Sequence, residues 1–294
     1  MLLRAAAFVA MLLAASPAVA RMHAGPSQLH AGHRLQGAIA PLDGGGSLAA
    51  PAAAYSLRKL KSAYAGAAIS LRRASDNAEQ DINFLGFTGF TGAPLDIAAA
   101  NAFCNATTCF VKGIYDQSGN GRDAFQFSAG AQPAFVSSCQ NGRPCARFPN
   151  AEQLQSSSVT WASVITTLST VAKRTSGTGQ CNFIRKINNV LLSDVAGTWY
   201  ATGFIAGGYP VTAAENTWHA GMAVINGASS VVRIDVAETT GSITGGGGGG
   251  VAYFTGAAST SCDWAEGIIW DGYALTAAER AVLQSNQKSF WGTP

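Results

Sequence analysis

The chain has 294 residues, of which 48% are hydrophobic and 12% charged, with a formal net charge of +3. Charge this sparse and unclustered argues against a nucleic-acid partner. After the first twenty residues no apolar run approaches the ~18 residues of a membrane-spanning helix, so no membrane span is expected.

Residues 1–20 read as an export signal: Arg4 gives a positive start, residues 5–15 an apolar core, and Ala18-Val19-Ala20 a small-x-small cleavage site. Residues 21–52 are rich in Ala, Gly, His and Pro without sustained periodicity. They read as a flexible linker, with His23, His30 and His33 as solvated linker residues. A single folded domain is expected over 53–294. It opens with a short helix at 55–64 and a first strand at 67–73, and Asp96 caps a helix running to Phe103.

Cys104 and Cys109 then flank a small polar loop, followed by the apolar run 110–115 and a turn of Asp, Ser, Asn and Gly. Beyond it, short apolar runs at 146–148, 168–173, 183–187, 190–192, 199–205, 218–225, 231–236, 251–254 and 264–270 predict strands separated by turns. Asn226-Gly227 is the strongest hairpin signal among them. Six consecutive glycines, 245–250, predict a loop, because a glycine run weakens a strand interior. Thr276-x-x-Glu279 is a capping box that starts a helix reaching about Phe290. Many short strands with few helices predict an all-β antiparallel sandwich.

The stretch Phe103-Cys104-Asn105-Ala106-Thr107-Thr108-Cys109, followed by Ile114-Tyr115-Asp116-Gln117-Ser118-Gly119-Asn120-Gly121, resembles the catalytic domain of α-L-arabinofuranosidase B, glycoside hydrolase family 54. Those domains carry F-C-x-N-T-T-C and then I-Y-D-Q-S-G-N-G. The resemblance extends from about Tyr55 to Gln287, is dense through Gly121, and returns at 264–273. It implies a concanavalin A-like sandwich (a jelly roll of the lectin/glucanase type) with a few peripheral helices. It also implies an exported protein directed at arabinofuranosyl groups of polysaccharides or oligosaccharides, with no cofactor.

Together with proximity, the resemblance pairs Cys104 with Cys109, Cys139 with Cys145, and Cys181 with Cys262; sequence alone admits other pairings. No resident metal is expected. The chain has no Cys-x-x-Cys, and His219 is its sole histidine beyond the linker. The Asp116-to-Asp123 turn has the alternating oxygens of a calcium loop, but Phe127 stands at the distal position where a glutamate is needed.

Retaining glycoside hydrolysis uses two carboxyl groups ~5–5.5 Å apart. The family's nucleophile lies in D-M-E-N-N and its acid/base in G-G-D-N, and neither segment is present here. After Trp199 the chain reads Y-A-T-G-F-I-A-G-G-Y, and Gly256-Ala257 stands where Gly-Asp is expected. Glu266, which matches the family's strand glutamate, is the candidate general acid, the other reading being a structural glutamate hydrogen-bonded to loop backbone. Strand alternation would set it beside Trp264, Ile268 and Trp270. Glu215, Asp235, Glu238, Asp263 and Asp271 are further acids, each read as solvated or turn-capping. Trp199, Tyr200 and Tyr209, near Thr202 and Gly207-Gly208, form the expected sugar-binding edge. The alternative function is a glycan-binding or adhesion module that keeps the scaffold without the chemistry.

Overall fold

The computed structural model describes residues 41–294 except 44–47, 87–91, 157–158, 162, 178, 187–189, 203–208, 245–247, 251 and 256–259. The expected signal segment and the first part of the expected linker lie outside the described residues, as do Gly207-Gly208 and Gly256-Ala257.

Two antiparallel sheets, joined where Phe110 pairs with Ala134, build an all-β sandwich. The first runs Ala237–Ile243, Gly227–Ile234, His219–Ile225, Thr166–Gly177 and Thr260–Asp271. On the free side of Thr260–Asp271 it continues with Ala53–Ser56 and Arg143–Phe148, and then with Ala134–Gln140. The second runs Glu79–Ile82, Ile69–Arg73, Cys109–Ile114, Ala124–Phe125, Gln153–Ser156 and Ala252–Thr255. It ends with Gln180–Lys186, Val190–Val195, Thr198–Thr202 and Tyr209–Thr212.

Side chains from the facing surfaces interlock between the sheets. Trp199 of the second sheet packs directly against the backbone of Gly221 in the first, where an added Cβ would sit 2.3 Å from the indole ring. Only glycine allows that approach. The Cys181–Cys262 disulfide crosses between the same two sheets, and Cys104–Cys109 and Cys139–Cys145 close local loops. All three expected pairings are formed.

The helix Ala277–Trp291 covers the outer face of the first sheet. Its capping box is complete: Thr276 Oγ1 accepts from the Glu279 amide while the Glu279 carboxylate accepts from the Thr276 amide. Leu283 packs with Met222, Ile268, Trp270 and Leu275 in a second core. His219–Ile225 is consequently buried at every position, because a core lies on each of its faces.

Three expectations change at this level. Residues 53–56 are a strand rather than the start of a helix, since Ala53 to Ser56 pair with Ile269 to Glu266 and Tyr55 is fully buried. The end of the expected linker is packed: Leu42, Leu48 and Ala49 join the second core, and the Ala49 carbonyl accepts from Trp270 Nε1 at 2.8 Å. Gly248–Gly250, expected in a loop, pairs with Val159–Trp161.

Candidate functional site

The Asp116 turn is the densest polar feature of the first half, and its role is mechanical. Asp116 Oδ1 accepts from the amides of Ala54 and Ser118, and Oδ2 from Ser118 Oγ and the Arg122 amide. The Gln117 side chain donates to the carbonyls of Ser56 and Arg58 and accepts from the Leu60 amide. Asn120 donates to the carbonyls of Pro51 and Ala52. The motif thus bolts residues 51–60 onto the sandwich. Both Asp116 oxygens already face N–H or O–H donors, an arrangement that does not suit a calcium ligand.

Glu266 lies on the helix side of the first sheet, fully buried. Arg58 grips it with two bonds, Nε to Oε2 at 2.6 Å and Nη2 to Oε1 at 3.0 Å. Ser56 Oγ, Gln287 Nε2 and Trp291 Nε1 donate at 3.1, 3.0 and 3.0 Å. Burial pushes this carboxyl upward, but the charge and bonds of Arg58, then Trp291 and Gln287, outweigh it and hold the group below its ordinary value. A general acid needs the opposite shift and an open path to substrate. The expected alternation also fails locally. Val171 pairs with Glu266 but Ala172 pairs with Trp264, so Ala265 is an extra residue. This bulge turns Trp264 into the inter-sheet core against Phe254, while Glu266, Ile268 and Trp270 face the helix.

The expected sugar edge is also rearranged. Trp199 is fully buried, with Phe183 stacked at 4.5 Å and His219 edge-on at 6.0 Å, so it presents no face to solvent. Tyr200 points to the other side of the same strand and is half-buried. Tyr209 pairs with Ala201 through the backbone; its side chain lies outside the described residues.

All 16 acids of the chain fall within the described residues, so their surroundings can be compared directly. Asp263 is buried and bound by both Arg147 and Lys173. It lies close to the sulfurs of Cys139 and Cys145, but their disulfide removes the thiolates a metal would need. Glu238 bridges Arg233 and Arg280, and Asp271 also has a partner within the protein.

Asp194 and Glu215 converge on one guanidinium: Arg174 Nη1 bonds Glu215 Oε1 and lies 3.8 Å from Asp194 Oδ1. Burial raises the Asp194 carboxyl despite the Gly197 amide and Arg174. Arg174 thus ties both carboxylates into one ion-paired cluster. His219 Nδ1 and Asp235 Oδ2 are 2.6 Å apart, and Nε2 faces the Ala214 carbonyl at 2.8 Å. Burial lowers the His219 pKa, but Asp235 and Ala214 together raise it overall. In the sequence the one signal for Asp194 is the Asp194-to-Gly197 turn, whose Gly197 amide donates to its carboxylate.

Residues 43–157 match the family model described as "Alpha-L-arabinofuranosidase B, catalytic". Alpha-L-arabinofuranosidase B of Emericella nidulans is 42% identical over 79 residues, covering 27% of this chain and 15% of that protein. The Aspergillus oryzae protein of the same name is 40% identical with the same coverage. Each match therefore spans about 15% of the curated relative. Among solved structures, an arabinofuranosidase complexed with arabinofuranosyl-alpha-1,2-xylobiose has a TM-score of 0.60 at 18% identity, covering 82% of this chain and 63% of that one. A glycoside hydrolase family 54 α-L-arabinofuranosidase soaked with a cyclic sulfate inhibitor gives 0.61 at 18%, with the same coverage. Sequence likeness thus lies in the part built around the Asp116 bolt, and likeness of fold extends over most of the chain.

Proposed function

We propose that this arabinofuranosidase B-like domain engages arabinofuranosyl-bearing polysaccharides and holds them without hydrolysing them. The reading rests on one observation: the acid nearest to a catalytic assignment, Glu266, is sealed in five hydrogen bonds from Arg58, Ser56, Gln287 and Trp291. The family's D-M-E-N-N and G-G-D-N segments do not occur in the chain. The segments without described structure contain no Asp or Glu that could replace them. On this reading Glu266 is a structural group, Trp199 a core residue, and Tyr200 and Tyr209 the aromatics left to the sugar-binding edge.

Export fits the same picture. Three disulfides persist in an oxidising compartment, and residues 1–20 have the composition of a signal peptide. Among the described residues no helix is long and apolar enough to cross a membrane. The test is an assay on 4-nitrophenyl α-L-arabinofuranoside. No release above the buffer blank is expected, whereas release abolished by Glu266→Gln, with the fold intact, would make Glu266 catalytic.

A further inference from the structure

The outer face of the second sheet carries a run of aromatic rings around Cys109–Ile114 and Ala124–Phe125, several strands away from Tyr200. Phe125 sits between Tyr115 and Phe127, with ring centroids 5.5 and 5.8 Å away; the Phe125 and Phe127 planes are within 11° of parallel. Phe127 is 82% exposed, the most exposed large apolar side chain described. Ala124 faces the inter-sheet core, so alternation turns Phe125 outward. Gly113 is paired opposite Phe125, and a Cβ there would lie 2.3 Å from the ring. The ring therefore packs directly on bare backbone, with Phe127 stacked beside it.

Polar groups rim the rings. Tyr115 donates its hydroxyl to Asp81 at 2.9 Å. The Lys112 ammonium is ion-paired with Glu79 and stands 6.0 Å from the Phe127 ring centre. Both Glu79 and Asp81 point outward from the same edge strand, while Ile82 points in. None of these groups belongs to the Asp116 bolt or the Glu266 pair, and the long helix packs on the other sheet.

We propose that Tyr115, Phe125 and Phe127 form a binding platform for a neutral glycan chain. Sugars offer apolar C–H faces to stack on rings, and hydroxyls for carboxylate acceptors and an ammonium donor at the rim. An apolar protein partner would instead favour a larger patch free of charge, whereas here two carboxylates and an ammonium flank three rings. The occupant is a polysaccharide backbone passing across the sheet, so the inference rests on the carbohydrate reading above and adds a second contact region to it.

The test is affinity gel electrophoresis of the full chain in arabinoxylan, comparing the unaltered protein with Phe127→Ala and Tyr200→Ala and checking thermal midpoints alongside. Phe127→Ala removes an exposed ring and should leave the midpoint unchanged while weakening retardation about tenfold. Retardation lost in Tyr200→Ala but unchanged in Phe127→Ala would overturn the platform and leave the carbohydrate reading standing. No retardation of the unaltered protein would overturn both. Self-association that Phe127→Ala abolishes, without a change in retardation, would assign the face to a second copy of the chain instead.

Discussion

Arg58 and Glu266 come from opposite ends of the domain, 208 residues apart, and form a two-bond ion pair that is almost wholly out of water. The pair joins the first strand region to the last long strand, and Gln287 and Trp291 tie the C-terminal helix to the same carboxylate. A position that suggests an acid in the sequence is, in the fold, the point where three elements meet.

Breaking this pair from one side leaves the other charge buried. Arg58→Met or Glu266→Gln is expected to lower stability by about 3–5 kcal/mol in denaturant titration. Replacing both with apolar residues should recover part of the loss. A one-sided variant as stable as the parent would show that the pair is dispensable.

The pH dependence follows from two groups with opposite shifts. Glu266 is held below its ordinary value, so its contribution is full above the unfolded pKa of roughly 4.3 and fades as pH falls through the lower folded value. His219 is raised, so its contribution is full below the unfolded pKa of roughly 6.5 and fades as pH climbs through the higher folded value. In His219→Gln the alkaline loss should disappear while the acid limb stays. An unchanged alkaline limb would remove His219 from the account.

Disulfide removal should rank by loop length. Cys181 and Cys262 are 81 residues apart and Cys104 and Cys109 only 5. Chain entropy gives ~4.5 and ~2 kcal/mol for the two. Double Cys→Ala variants compared by thermal midpoint should show the larger drop for the bond between the sheets. The reverse order would mean that the short loop's local geometry dominates.

Asp116 accepts four hydrogen bonds that fasten the turn to residue 54 and to itself. Asp116→Ala should cost at least ~2 kcal/mol, since it leaves buried amides unpaired. Adding calcium or a chelator should leave the midpoint of the unaltered protein where it is. A calcium-dependent rise would show that the turn takes an ion.

What was legible in the sequence was local chemistry. The Thr276–Glu279 capping box, the disulfide-closed loop at Cys104 and the Asp116 turn act over a few residues, and each forms as the residue types dictate. What was hidden depends on partners far along the chain. Residues 53–56 are a strand because Thr260–Asp271 lies beside them, and the extra residue at Ala265 reverses the side on which Trp264 emerges. Trp199 read as a surface platform because no local pattern announces that Gly221 leaves room for it on the facing sheet. The Phe125 platform depends in the same way on Gly113 in a neighbouring strand.

The central claim, retention of an arabinofuranosyl polysaccharide without turnover, is tested most directly by co-sedimentation with insoluble arabinoxylan while free arabinose is measured in the supernatant. The account predicts that the protein partitions to the pellet and that arabinose stays at the level of a protein-free control. Arabinose that accumulates in proportion to protein and time would contradict it and require a pair of catalytic carboxylates among acids assigned here to structure.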